Sequence, residues 1–150
     1  VFSPDRSVMD ESNMMKDYFY AYPGDDYVDV FGLVNYSEYE EKQADRHIMS
    51  RKFMNDLKFL DHLAHQKKKL AAITETGQNG LIDSLWFSKT LLTSFEALDY
   101  GALSWVMLGP NKDSTNYFIP FDEHPAAADF RYFREKSCTL FENDLEEMYK

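Results

Sequence analysis

Along the chain, short apolar runs alternate with longer segments whose apolar residues recur every three or four positions. Tyr27 to Val34 (YVDVFGLV) is nearly continuous apolar and rich in β-formers, the pattern of a strand covered on both faces. Ser37-Glu38-Tyr39-Glu40 reads as a capping box. Met49, Phe53, Leu57, Leu60 and Ala64 then mark one face of a helix. Lys67-Lys68-Lys69 closes it, where cations suit the negative end of the helix dipole. Leu70 to Thr74 predicts a second strand, stopped by Gly77 and Gly80. Asp83 caps the next helix, with Phe87, Leu91, Phe95 and Leu98 as its buried stripe. Gly101 to Met107 predicts a third strand, followed by a loop rich in Gly, Pro, Asn and Asp and an extended piece at Tyr117 to Phe121. A last helix carries Phe130, Phe133, Phe141, Leu145 and Met148. Ahead of all this, Ser12 to Tyr20 predicts one short helix before a Pro23-Gly24 turn.

Strand, helix, strand, helix, strand, helix is the order of βαβ units, an α/β fold with helices packed outside a parallel sheet. Both a doubly wound sheet and part of a (β/α)8 barrel fit it. A complete barrel takes ~250 residues; on that reading these 150 residues are one partial domain.

Composition narrows the function classes. Hydrophobic residues at 44% and aromatics at 16% supply a packed core, which excludes a disordered chain. A net charge of −10 argues against nucleic acid and anionic membranes as partners and leaves neutral ligands such as sugars open. No apolar run approaches the ~20 residues of a membrane-spanning helix. The lone Cys138 sits in a helical pattern and reads as an inert thiol. His62 and His65 have no HExxH or Cys/His partners, so no metal site is expected. The acids Glu142, Asp144, Glu146 and Glu147 read as a solvated helix face.

Glu75 is the sharpest candidate. It stands one residue past the predicted second strand, and in a barrel that end carries the active site. A carboxylate there serves as nucleophile, general acid or metal ligand; the plain alternative is a surface acid. Tyr36 follows the first strand and Trp105 lies within the third, and aromatics at strand ends stack on the apolar faces of sugar rings. Each alone reads as ordinary core. An acid and two aromatics at successive strand ends together point to a site.

Several of these segments resemble glycoside hydrolase family 26, whose members are mostly endo-acting β-1,4-mannanases. Tyr22 to Gly32 (YPGDDYVDVFG) resembles the segment leading into the family's sixth strand, and Ile73-Thr74-Glu75-Thr76-Gly77 its seventh-strand motif. Trp86-Phe87 looks like the aromatic pair of the following helix, and Trp105 the tryptophan of the eighth strand. Tyr117 to Phe121 and His124 to Phe130 resemble the closing segment of the bacterial branch.

The resemblance implies the C-terminal part of a (β/α)8 barrel, about its last three βα units, with the N-terminal strands missing and Val1-Phe2-Ser3-Pro4-Asp5 at the end of the fifth strand. It further implies a retaining hydrolase of β-1,4-mannosidic linkages in mannan, galactomannan or glucomannan, needing no cofactor. Glu75 corresponds to the nucleophile, Tyr36 to the tyrosine touching it, and Trp105 to the platform beneath the sugar. The acid/base glutamate belongs to the fourth strand, outside this chain, so 1–150 alone is expected to be inactive. Members are secreted, periplasmic or surface-attached. Two departures remove polar groups from the cleft rim: Val34 stands where an aspartate is usual, and Val106-Met107 where an Arg-Asn pair is usual. They keep open a β-glucanase or xylanase, and a non-catalytic carbohydrate-binding protein on the same barrel.

Overall fold

The computed structural model describes residues 1–36 and 46–145. Three parallel strands, β1 (Val30–Tyr36), β2 (Leu70–Gly77) and β3 (Leu103–Leu108), lie side by side in chain order. Residues 2–5 run parallel to β1 on its far side, bridging Phe2 to Phe31 and Asp5 to Val34. Phe2 N–H donates to the Val30 carbonyl, Gly32 N–H to that of Phe2, and Val34 N–H to that of Pro4. In this ladder the Gly32 carbonyl would accept from residue 4, but proline has no N–H. The buried Tyr18 hydroxyl donates there instead, at 2.8 Å.

Tyr18 belongs to a short helix, α1 (Met14–Tyr18). The long helix α2 (Arg46–Lys67) connects β1 to β2. A π-helical turn, Phe87–Leu92, runs into α3 (Thr93–Glu96) and connects β2 to β3; α4 (Ala127–Arg134) packs beside it. One face of the sheet meets these helices: Phe31, Leu33, Ala71 and Ile73 are buried with Phe53, Leu57 and Leu60 of α2 and with Trp86, Phe87 and Leu91. This is the apolar pattern that the helical spacing and the strand runs dictate.

The opposite face is concave. Gly32 projects toward it, and a Cβ at Gly32 would lie 2.6 Å from Ser3 Cβ and 2.8 Å from Thr74 Cγ2. The Ser3 and Thr74 hydroxyls hydrogen-bond across that glycine. Strands two apart in a flat sheet are roughly 9–10 Å distant, so side chains meeting over the middle strand require the sheet to curl toward them.

The elements differ from the predicted ones at their ends. β1 begins at Val30 because Asp25–Tyr27 forms a 3-10 turn after Gly24 (φ 111°) and leaves Tyr27 exposed. β2 extends to Gly77, so Glu75 lies inside the strand rather than one residue past it, and β1 runs beyond Val34 to take in Tyr36 as its last residue. The N-terminal helix is split into a 3-10 turn at Glu11–Asn13 and α1. The last helix stops at Arg134, because the Thr139 hydroxyl bonds the carbonyls of Phe133 and Lys136 and turns the chain. Phe141 still packs edge-on against Phe130 and Phe133, as its spacing requires, but through that reversal. The segment Tyr117 to Phe121 forms no strand. The capping box at Ser37 to Glu40, and Glu146, Glu147 and Met148, lie outside the described residues.

Candidate active site

Strict alternation would aim Glu75 at the helices, because Ile73, two residues earlier, points there. A bulge prevents it. Leu33 pairs with Ile73 but Val34 pairs with Glu75, and on the other side Ile73 pairs with Val106 but Thr76 with Leu108. Both neighbours therefore see one extra residue in β2 at Thr74–Glu75. A one-residue slip exchanges faces, so Glu75 joins Val34 and Tyr36 on the concave side. Thr76 then takes the buried position and donates to the Asn35 carbonyl at 2.7 Å.

Tyr36 and Glu75 are brought together: the Tyr36 hydroxyl donates to Glu75 Oε2 at 2.9 Å. Burial, and then the hydrogen bond and charge of Glu75, push the Tyr36 phenol up to about 12. Trp105 is not beside them. A second bulge, at Ser104, pairs it with Ala72 and so sets it on the concave face, but three residues short of Glu75 along the sheet. The residue is 42% exposed and lines a groove of about 790 Å³ along the free side of β3.

Residues that the sequence pattern did not single out complete the neighbourhood. Phe118 sits 5.3 Å from the Tyr36 ring, centroid to centroid. A Cβ at Gly77 would come within 2.6 Å of the Phe118 ring, and one at Gly109 within 2.7 Å. Glycines closing two adjacent strands were the available sign that something approaches closely there. On the helix side, Asn35 donates to Asp56 at 3.1 Å and Arg6 donates to the same carboxylate at 2.7 Å. Burial raises the Asp56 carboxyl, against the pull of Arg6. Asp5, Arg6, Asn35, Tyr36 and Lys52 line a cleft of about 590 Å³ beside Tyr36. His62 bonds Asp99 at 2.7 Å and His65 stacks on Tyr100. Among the described residues no group of three His, Cys, Asp or Glu side chains converges as a metal-binding set.

No protein-family model matches the chain. A mannan endo-1,4-β-mannosidase from Bifidobacterium adolescentis is 27% identical over 138 residues, covering 83% of this chain and 14% of that protein. The structure of a family 26 β-mannanase from Bacteroides ovatus superposes with a TM-score of 0.78 at 34% identity, over 99% of this chain and 40% of that one. A modular endo-β-1,4-mannanase from Cellulomonas fimi gives 0.76 at 25% identity, over 96% and 32%. The chain thus spans 40% or less of each of these relatives. Its curled three-stranded sheet is part of a (β/α)8 barrel.

Proposed function

The chain is related along nearly its whole length to the glycoside hydrolase family 26 β-mannanases, and from that premise we propose that it carries the nucleophile half of a retaining β-mannan hydrolase. The observation that carries this reading is the bulge that turns Glu75 onto the concave face, where the Tyr36 hydroxyl meets it. A retaining nucleophile must be ionised, fixed and accessible. The Tyr36 hydrogen bond fixes the orientation of the carboxylate. Tyr36 occupies Oε2, and we assign the other oxygen, Oε1, to attack.

In the first step Glu75 forms a bond to the anomeric carbon as the glycosidic C–O bond breaks, and a second carboxylic acid protonates the departing oxygen. In the second step that residue, now a carboxylate, deprotonates a water that displaces Glu75 and restores the free sugar. The two carboxyl groups of such a pair stand ~5–5.5 Å apart. We assign the acid/base residue to an earlier strand outside residues 1–150, which makes this stretch inactive alone and the rest of the barrel its obligatory partner. Trp105, on the concave face below Glu75, is the proposed platform for a sugar ring. Mannan, galactomannan or glucomannan is the proposed substrate, with action outside the cell, in the periplasm or at the cell surface. Among the described residues no helix is long and apolar enough to cross a membrane.

In the protein that carries this stretch within its complete barrel, Glu75→Gln should lower kcat by roughly a thousandfold or more with the melting temperature held. Added azide should restore part of the turnover of Glu75→Ala by taking the place of the carboxylate. Near-normal turnover in Glu75→Gln contradicts the assignment. A second reading, a carbohydrate-binding protein without hydrolysis, draws on Val34, paired directly with Glu75, and on the half-exposed Met107, both apolar at the rim. It predicts mannan binding by the full barrel with no product released.

A further inference from the structure

We infer that Phe118 is a positioning residue, which holds the Tyr36 phenol against Glu75 by packing on its ring from the loop after β3. The inference rests on the reading of Glu75 as nucleophile. Tyr117, its neighbour in sequence, packs on the hydrophobic core, whereas Phe118 is not part of that core among the described residues. Its ring lies instead over the carboxyl ends of the three strands. It is 5.3 Å from Tyr36 at the end of β1, and it fills the space that side chains at Gly77, ending β2, and Gly109, following β3, would need. Gly77 has φ +146°, so a side chain there is disfavoured by its backbone as well as by Phe118.

The backbone carrying the ring is fixed from both sides. Asn111 Oδ1 accepts from Phe118 N–H at 2.8 Å and from Ile119 N–H at 2.9 Å, and its amide donates to the Ile119 carbonyl at 2.8 Å. Gly80 N–H donates to the Tyr117 carbonyl at 2.9 Å. A tyrosine ring can pivot about its χ angles, and one hydrogen bond at its tip does not prevent this. A second ring on a clamped backbone restricts the pivot and keeps the phenol directed at Oε2. A large apolar side chain kept off the core, with two glycines making room for it, fits a role in orientation better than one in general stability.

The test uses the full barrel and four variants, Phe118→Ala, Phe118→Leu, Tyr36→Phe and the Tyr36→Phe/Phe118→Ala double variant. Phe118→Ala should lower kcat by roughly ten- to a hundredfold with KM nearly unchanged, since a displacement of about 1 Å at a reacting group costs on this order. Phe118→Leu, which keeps bulk and protects against a folding failure, should fall between. With Tyr36→Phe already present, adding Phe118→Ala should cost about twofold or less, because the hydroxyl it aims is gone. Crystal structures of Phe118→Ala or Phe118→Leu should show the Tyr36–Glu75 contact lengthened or lost. Additive losses in the double variant, a rise in KM with kcat held, or an unchanged Tyr36–Glu75 contact overturns the inference. If Glu75→Gln stays active while Phe118→Ala displaces Tyr36, the nucleophile reading has failed and the packing role stands. If Glu75→Gln is dead and the Phe118 variants keep full kcat, only the present inference has failed.

Discussion

Tyr36 is the residue in which the site's electrostatics are most directly measurable. An unfolded tyrosine ionises near 10, whereas burial and the Glu75 carboxylate hold this phenol up to about 12. The neutral phenol therefore stabilises the fold fully below about pH 10, and the contribution is lost as pH rises toward about 12. The stability difference between wild type and Tyr36→Phe, measured by denaturant titration across that range, should shrink as pH rises; a constant difference contradicts the contact. As candidates, Glu75 and Tyr36 stand out in the sequence because each follows an apolar run. The bulge that brings them to one face was not, since Thr74 carries no mark of being the extra residue. Phe118 was hidden for a related reason: its partners are 82, 41 and 9 residues away and only the strand ends bring them together.

At the scale of elements, helix and strand order was legible because burial imposes spacings of three to four on α2 and continuous apolar runs on β1 and β2. The final helix misled because Phe141 obeys helical spacing while reaching the same neighbours through a reversal at Thr139. Connections depend on single buried acids that periodicity does not flag. Asp61 on α2, 1% exposed, accepts from the backbone N–H groups of Asp99, Tyr100 and Ala102 at 3.1, 2.8 and 2.7 Å, tying the approach to β3 onto the helix. Asp61→Ala leaves those donors unpartnered and should lower stability by about 2–4 kcal/mol in chemical denaturation. A loss below ~0.5 kcal/mol, the range of an ordinary surface substitution, contradicts this role for Asp61.

For the molecule as a whole, β3 is the open side of the sheet among the described residues. Its groove of about 790 Å³ exposes Trp105 at 42%, Met107 at 51% and Leu140 at 73%. An unpaired strand edge beside apolar surface invites association. Residues 1–150 prepared alone should therefore sediment as species that grow with concentration, and release no product from mannan; a concentration-independent monomer that hydrolyses mannan contradicts both expectations. Partial-barrel architecture was legible only through the family's motifs, because three βα units by themselves suit an open sheet equally well, and the curl over Gly32 that separates the two appears only in three dimensions. Trapping the glycosyl-enzyme intermediate distinguishes Glu75 as the attacking carboxylate from every other acid. The full barrel is treated with a 2-deoxy-2-fluoro-mannoside carrying a good leaving group, digested and mapped by mass spectrometry. One covalent glycosyl adduct is expected, on Glu75 within the peptide containing Ile73 to Gly77; an adduct on any other residue, in an enzyme that the reagent inactivates, contradicts the assignment of Glu75.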